Sequence, residues 1–130
     1  MTAIWKRSQK ATGFPRALGA ATAAFGAALV VRPELMTGPT GLRATPGLRT
    51  VVRAVGTRDL VSGLAMVLAP AGRPLRVALA ARVATDASDA VVFGSALPTA
   101  AARRKSALVT LCWAALCAAA WRRAPVDGGR

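Results

Sequence analysis

The chain has 130 residues, 54% of them hydrophobic, and its eighteen Lys and Arg against five Asp and Glu give a net charge of +13. Having no His, it excludes His-based zinc sites, Ser-His-Asp and Cys-His catalysis, and a haem His ligand. No Tyr, three Phe and no recognisable nucleic-acid-binding motif argue against a nucleic-acid partner; the positive charge suits anionic lipid headgroups, which attract a nearby basic side chain by about 1 kcal/mol.

Residues 1–14 form a basic N-terminal segment with Trp5, Lys6, Arg7 and Lys10. Together with the apolar run from Ala17 to Val31 it resembles the n-region and h-region of a signal peptide. Pro33 and Glu34 follow without a small-x-small cleavage site, so the run is expected to stay as a first helix over 16–32. Residues 34–46, rich in Gly, Thr and Pro, read as a loop. Prolines 46 and 70 bracket a second helix over 47–69, and prolines 74 and 98 a third over 75–97, because proline is tolerated at first turns and just past helix ends. A fourth helix runs from Thr99 to about Arg122. Thr45 and Thr99 are the expected N-caps, each offering a hydroxyl to an unpaired backbone N–H.

The expected fold is all-α: a four-helix transmembrane bundle over residues 15–122, with short connections, one longer loop between helices 1 and 2, and a disordered tail over 123–130. No segment has eighteen uncharged residues in a row, yet Ala17 to Val31 and Ser106 to Trp121 carry no charge on any face. Arginines bordering such runs can snorkel to the interface. Trp5 and Trp121, beside basic residues, fit the interfacial belt. Counting basic residues outside the helix centres places nine on the side of the termini and seven on the other. That bias puts both termini in the cytoplasm of a bacterial cytoplasmic membrane, as a multi-pass protein.

Five charged residues lie deep inside the second and third helices, away from their ends: Arg58, Asp59, Arg82, Asp86 and Asp89. Charges at such depth face a protein interior, pair with one another and mark functional sites. The short link from Pro70 to Pro74 makes the two helices antiparallel neighbours, which sets Arg58 level with Asp86 and brings Asp59 within reach of Arg82. Arg82, Asp86 and Asp89, spaced i, i+4, i+7, share one face. Two arginines against three aspartates leave one carboxylate without a core cation, unless Arg16 or Arg53 reaches it. Such a carboxylate can hold and pass a proton, which makes Asp86 and Asp89 the candidate catalytic residues.

Cys112 and Cys117 lie about 140° apart around a helix and are expected to pack as small apolar residues. Gly38, Gly41 and Gly47 lack the Lys-Ser/Thr ending of a phosphate-binding loop, and neither a cofactor nor a metal is expected. Gly19, Ala23 and Ala27 form a small-residue stripe, as do Ala115 and Ala119; these suit close helix packing or self-association.

The run Gly56-Thr57-Arg58-Asp59-Leu60, followed by Gly63-Leu64 and then by Arg82, Asp86 and Asp89, resembles a domain-of-unknown-function family of small four-helix bacterial integral membrane proteins, over roughly Pro15 to Trp121. The resemblance implies a four-helix membrane fold and no established activity. The expected function is a membrane module binding a lipophilic ligand, or a partner protein or second copy, around the charged core. The alternatives are a membrane-embedded isomerase or cyclase using Asp86 or Asp89 as general acid/base, and a small proton-coupled transporter.

Overall fold

Proline and glycine punctuation divides the chain into five helices: α1 (Thr2–Val31), α2 (Glu34–Thr40), α3 (Pro46–Leu68), α4 (Arg73–Ala96) and α5 (Ala100–Arg123). The computed structural model describes residues 2–126, and only the backbone of Ile4, Trp5 and residues 7–10. The second, third and fourth expected helices correspond to α3, α4 and α5. Thr45 Oγ1 accepts from the Leu48 N–H at 3.2 Å, and Thr99 Oγ1 from the Ala102 N–H at 3.1 Å. Losing such a cap costs about 1 kcal/mol. Thr99→Ala is therefore expected to lower the denaturation midpoint without changing the helix content of the folded protein, as read by circular dichroism.

The expected four-helix transmembrane bundle is not what forms. Among the described residues only one stretch, Ala11–Val31, is long and apolar enough to cross a membrane. Charges interrupt the apolar windows of the other long helices: Arg58 and Asp59 in α3, Arg82, Asp86 and Asp89 in α4, and Arg103, Arg104 and Lys105 opening α5. The first helix also begins earlier than expected, since α1 runs through Pro15, whose ring is fully buried. One missing backbone hydrogen bond does not stop a helix of 30 residues that packs along its length.

The expected loop over 34–46 contains α2. Glu34 occupies its first turn, where a carboxylate favours the positive end of the helix dipole. At its end Thr40 Oγ1 donates to the Met36 carbonyl at 2.7 Å. Gly41 then takes the left-handed conformation, φ 69°, which closes the helix and lets the Leu42 N–H reach the Thr37 carbonyl at 3.2 Å. At the C-terminus Arg123 still belongs to α5 and Ala124 is buried. Of the expected disordered tail over 123–130, Arg123 and Ala124 therefore belong to the folded chain, and residues 127–130 lie outside the described residues.

Two antiparallel helix pairs make up the bundle. In the first, α1 packs on α3 with its backbone almost touching. A Cβ added at Gly26 would lie 2.5 Å from the Gly56 carbonyl oxygen and collide with the Leu60 nitrogen. One added at Gly19 would lie 2.8 Å from the Gly63 carbonyl oxygen. Gly19 and Gly26 are seven apart, as are Gly56 and Gly63, so both pairs lie on the contact line that a seven-residue repeat generates. The small stripe read from the sequence shares two members, Gly19 and Ala23, with this line. In the second pair α4 and α5 are joined by the short link 97–99 and meet where Gly94 approaches Ala107.

Arginines tie each pair together at its ends. Arg16 of α1 donates to the Val67 carbonyl, and at 3.4 Å to that of Ala69, at the end of α3. Arg53 of α3 returns the contact, donating to the Val30 carbonyl of α1 at 3.2 Å. In the same reciprocal manner Arg76 of α4 donates to the Trp121 and Ala124 carbonyls at 3.0 and 3.2 Å. Arg103 of α5 completes the exchange at the Leu97 carbonyl, at 2.8 Å. Each long helix thus ends on a guanidinium from its partner, which satisfies carbonyls left over in the last turn and opposes the negative end of the dipole. Arg76 also lies 4.0 Å from the centroid of the Trp121 ring.

At one end of the bundle the two pairs close on an apolar core of Leu18, Met66, Leu75, Leu79, Cys117, Ala120 and Ala124. Cys117 is buried there, whereas Cys112 is exposed; both are free thiols. The short helix α2 touches α1 of one pair and α5 of the other.

Candidate functional site

The five charged residues singled out in the sequence meet in one network between α3 and α4. Arg82 grips Asp86 with two donors: Nε gives a bond of 3.0 Å to Oδ2, and Nη2 bonds Oδ1. Its Nη1 crosses to α3, donating to Asp59 Oδ1 at 2.8 Å and to Ser62 Oγ at 3.2 Å. Arg58 grips Asp89 in the same two-pronged way, Nη1 to Oδ1 at 3.0 Å and Nη2 to Oδ2 at 2.6 Å. Arg58 also donates from Nε and Nη2 to Asp59 Oδ1, at 3.1 and 3.0 Å. Asp59 is therefore the hinge of the network, shared by both arginines.

The local sequence explains this arrangement. Arg82 and Asp86 stand one turn apart on α4, so the guanidinium lies back along its own helix and still reaches α3. Arg58 and Asp59 are adjacent and point in directions about 100° apart, yet both engage α4, because the long Arg58 side chain folds back over Asp59. Arg58, expected level with Asp86, pairs with Asp89 instead, while Asp59 does meet Arg82. Arg16 and Arg53, considered as further core cations, are committed instead to helix ends.

Burial is uneven. The side chains of Asp59, Arg82 and Asp86 are almost wholly enclosed, whereas that of Arg58 is 38% exposed. Two-pronged guanidinium–carboxylate pairs supply the geometry that burying such charges demands, since an unpaired ion in low dielectric is costly. Among the described residues no fully buried side-chain nitrogen or oxygen lacks a partner. No group of three or more Cys, Asp or Glu among them is placed to hold a metal ion.

A cavity of about 410 Å3 opens directly on this network. Asp59, Arg82, Asp86 and Asp89 form its floor, and its walls are Phe25 and Leu29 of α1, Val55 of α3, Phe93 of α4, and Val109 and Trp113 of α5. The short helix α2 contributes Leu35, Met36, Pro39 and Thr40, and Lys105 and Ser106 stand on the α5 side.

These walls were not found by reasoning from the sequence, with Trp113 the most informative omission. Its Nε1 donates to Thr22 Oγ1 at 3.0 Å, joining α5 to α1 beside the charged floor. The available signal was its position: unlike Trp5 and Trp121 it sits at mid-helix, and an indole placed there needs a hydrogen-bond partner.

Compared with protein-family models, curated proteins and solved structures, the chain matches none.

Proposed function

We propose that the protein is a small membrane-associated binding module that houses a lipophilic molecule in the cavity between its two helix pairs. The observation that carries this reading is the combination of apolar walls with a fixed, charged floor. A volume of about 410 Å3 falls within the range of roughly 300–1,000 Å3 usual for small-molecule sites, which pair apolar linings with a few placed polar groups. An amphiphile fits that division, its body against the walls and its polar end at the floor.

Association with lipid rests on the outer surface. Large apolar side chains stand exposed on all four long helices, with Val31, Leu68 and Val91 each more than 70% accessible. Scattered apolar residues are ordinary, but this many on every long helix mark a surface with an apolar partner. Basic residues near the helix ends complement anionic headgroups, and Ala11–Val31 is the segment apolar enough to enter the bilayer. The acid/base and proton-coupled alternatives are weaker on geometry, because Asp86 and Asp89 each spend both oxygens on an arginine.

Two measurements test the reading. Carbonate washing is expected to leave the protein in the membrane fraction and detergent to release it; release by carbonate would remove lipid from the proposal. Mass spectrometry of an organic extract of the purified protein is expected to recover a lipophilic molecule. Ala21→Trp, at an exposed position on the cavity lining, should reduce its occupancy several-fold while leaving the helical spectrum unchanged. Equal occupancy in the variant would place the molecule elsewhere.

A further inference from the structure

The charged network beneath the cavity is unbalanced. With Arg58, which pairs there without lining the cavity, it holds two guanidinium groups against three carboxylates, and Arg16 and Arg53 are held at helix ends. Lys105 is the other cation lining the cavity, but it is exposed and forms no ion pair among the described residues. The deficit can be traced to one atom. Both oxygens of Asp86 and both of Asp89 accept from arginine, and Asp59 Oδ1 accepts three guanidinium hydrogen bonds. Asp59 Oδ2 accepts from no donor among the described residues.

Asp59 as a residue is only 3% exposed. Because no sealed side-chain oxygen among the described residues lacks a partner, Oδ2 must reach open space, and the open space that Asp59 borders is the cavity. A buried carboxylate oxygen that faces an apolar chamber and lacks a donor calls for a cationic donor from outside the chain. Nearby rings favour the same charge: Phe93 and Trp113 line the chamber, and aromatic faces attract cations.

Resting on the binding function proposed above, we infer that the cavity selects lipophilic amines. The ammonium group donates to Asp59 Oδ2, and the hydrocarbon body lies against Phe25, Val55 and Phe93. The positive charge of the whole chain does not prevent this: repulsion from basic residues outside the cavity is largely screened beyond a Debye length of about 8 Å at physiological salt, and within the lining Arg82 and Lys105 stand against three carboxylates, Asp59, Asp86 and Asp89.

The test is isothermal titration of the full chain in nonionic detergent with octylamine, octanol and octanoate, each corrected against empty micelles. Octylamine is expected to bind about tenfold or more tighter than octanol, the span of a charge-assisted hydrogen bond, and octanoate weakest. Asp59→Asn should bring octylamine and octanol to parity; if that variant does not fold, the wild-type series decides alone. Equal binding of all three, or tightest binding of octanoate through Lys105, overturns the amine assignment and leaves the apolar cavity as a binding site. Binding of none overturns the cavity reading with it.

Discussion

Gly26→Ala will strongly destabilise the protein, whereas Gly13→Ala, in the same helix, will leave it as stable or slightly more so. The two changes add the same methyl group. At Gly13 nothing stands within 4 Å of the new Cβ, so the replacement contributes only the higher helix propensity of alanine, worth up to about 1 kcal/mol. At Gly26 the methyl meets the backbone of α3, at the Leu60 nitrogen and the Gly56 carbonyl oxygen. Backbone cannot rotate aside as a side chain can, so α1 and α3 must separate along their whole contact. Overpacking usually costs about 1–3 kcal/mol where side chains absorb it. Here the loss should exceed about 3 kcal/mol, a large share of the roughly 5–15 kcal/mol that stabilises an ordinary domain. Denaturant unfolding of the two variants beside wild type in one detergent measures the contrast. Equal midpoints would mean that α1 and α3 are not in backbone contact.

The same glycines show what the sequence disclosed and what it withheld. Prolines 46, 70, 74 and 98, with Thr45 and Thr99, marked the limits of α3, α4 and the start of α5, because caps and breakers act locally. Pro15 misled, since whether a helix survives an internal proline depends on the packing that supports it. The short helix α2 was legible in principle, from Glu34 at its start and Gly41 at its end, but its Gly and Pro content reads as loop. The spanning bundle failed for a different reason: charges inside α3 and α4 and at the start of α5 leave those helices without an apolar window long enough to cross a membrane, and Arg16, which borders the first apolar run, caps the end of α3 instead of reaching headgroups. Of the site, the five charged residues were visible because charge inside an apolar run is conspicuous in a linear sequence. The cavity was not, since it exists only where two helix pairs meet. The short link from Pro70 to Pro74 made α3 and α4 antiparallel neighbours, but it could not show that glycine spacing gives α3 its closest partner in α1.

Arg82 provides the second large effect, and its variants separate charge from packing. Arg82→Ala leaves Asp86 with neither of its guanidinium donors and removes one from Asp59, all within an enclosed site. Removing one partner of a buried ion pair costs about 3–5 kcal/mol, because the remaining charge stays buried. Arg82→Lys keeps the charge but cannot reproduce a planar fork that holds Asp86 with one edge and reaches Asp59 with another, so it should recover only part of the loss. Arg58→Ala should cost less, about 1–3 kcal/mol, since that guanidinium is partly exposed and screened by solvent, although Asp89 is left without a partner. The decisive variant is Arg82→Leu combined with Asp86→Leu, which removes both partners and fills the space with apolar side chains. Buried pairs replaced in this way often lose little stability, so the double variant should unfold at a midpoint well above that of Arg82→Ala. A double variant as unstable as the single one would show that Arg82 acts mainly through Asp59 and Ser62, across to α3, and that its hold on Asp86 within α4 is incidental to the fold.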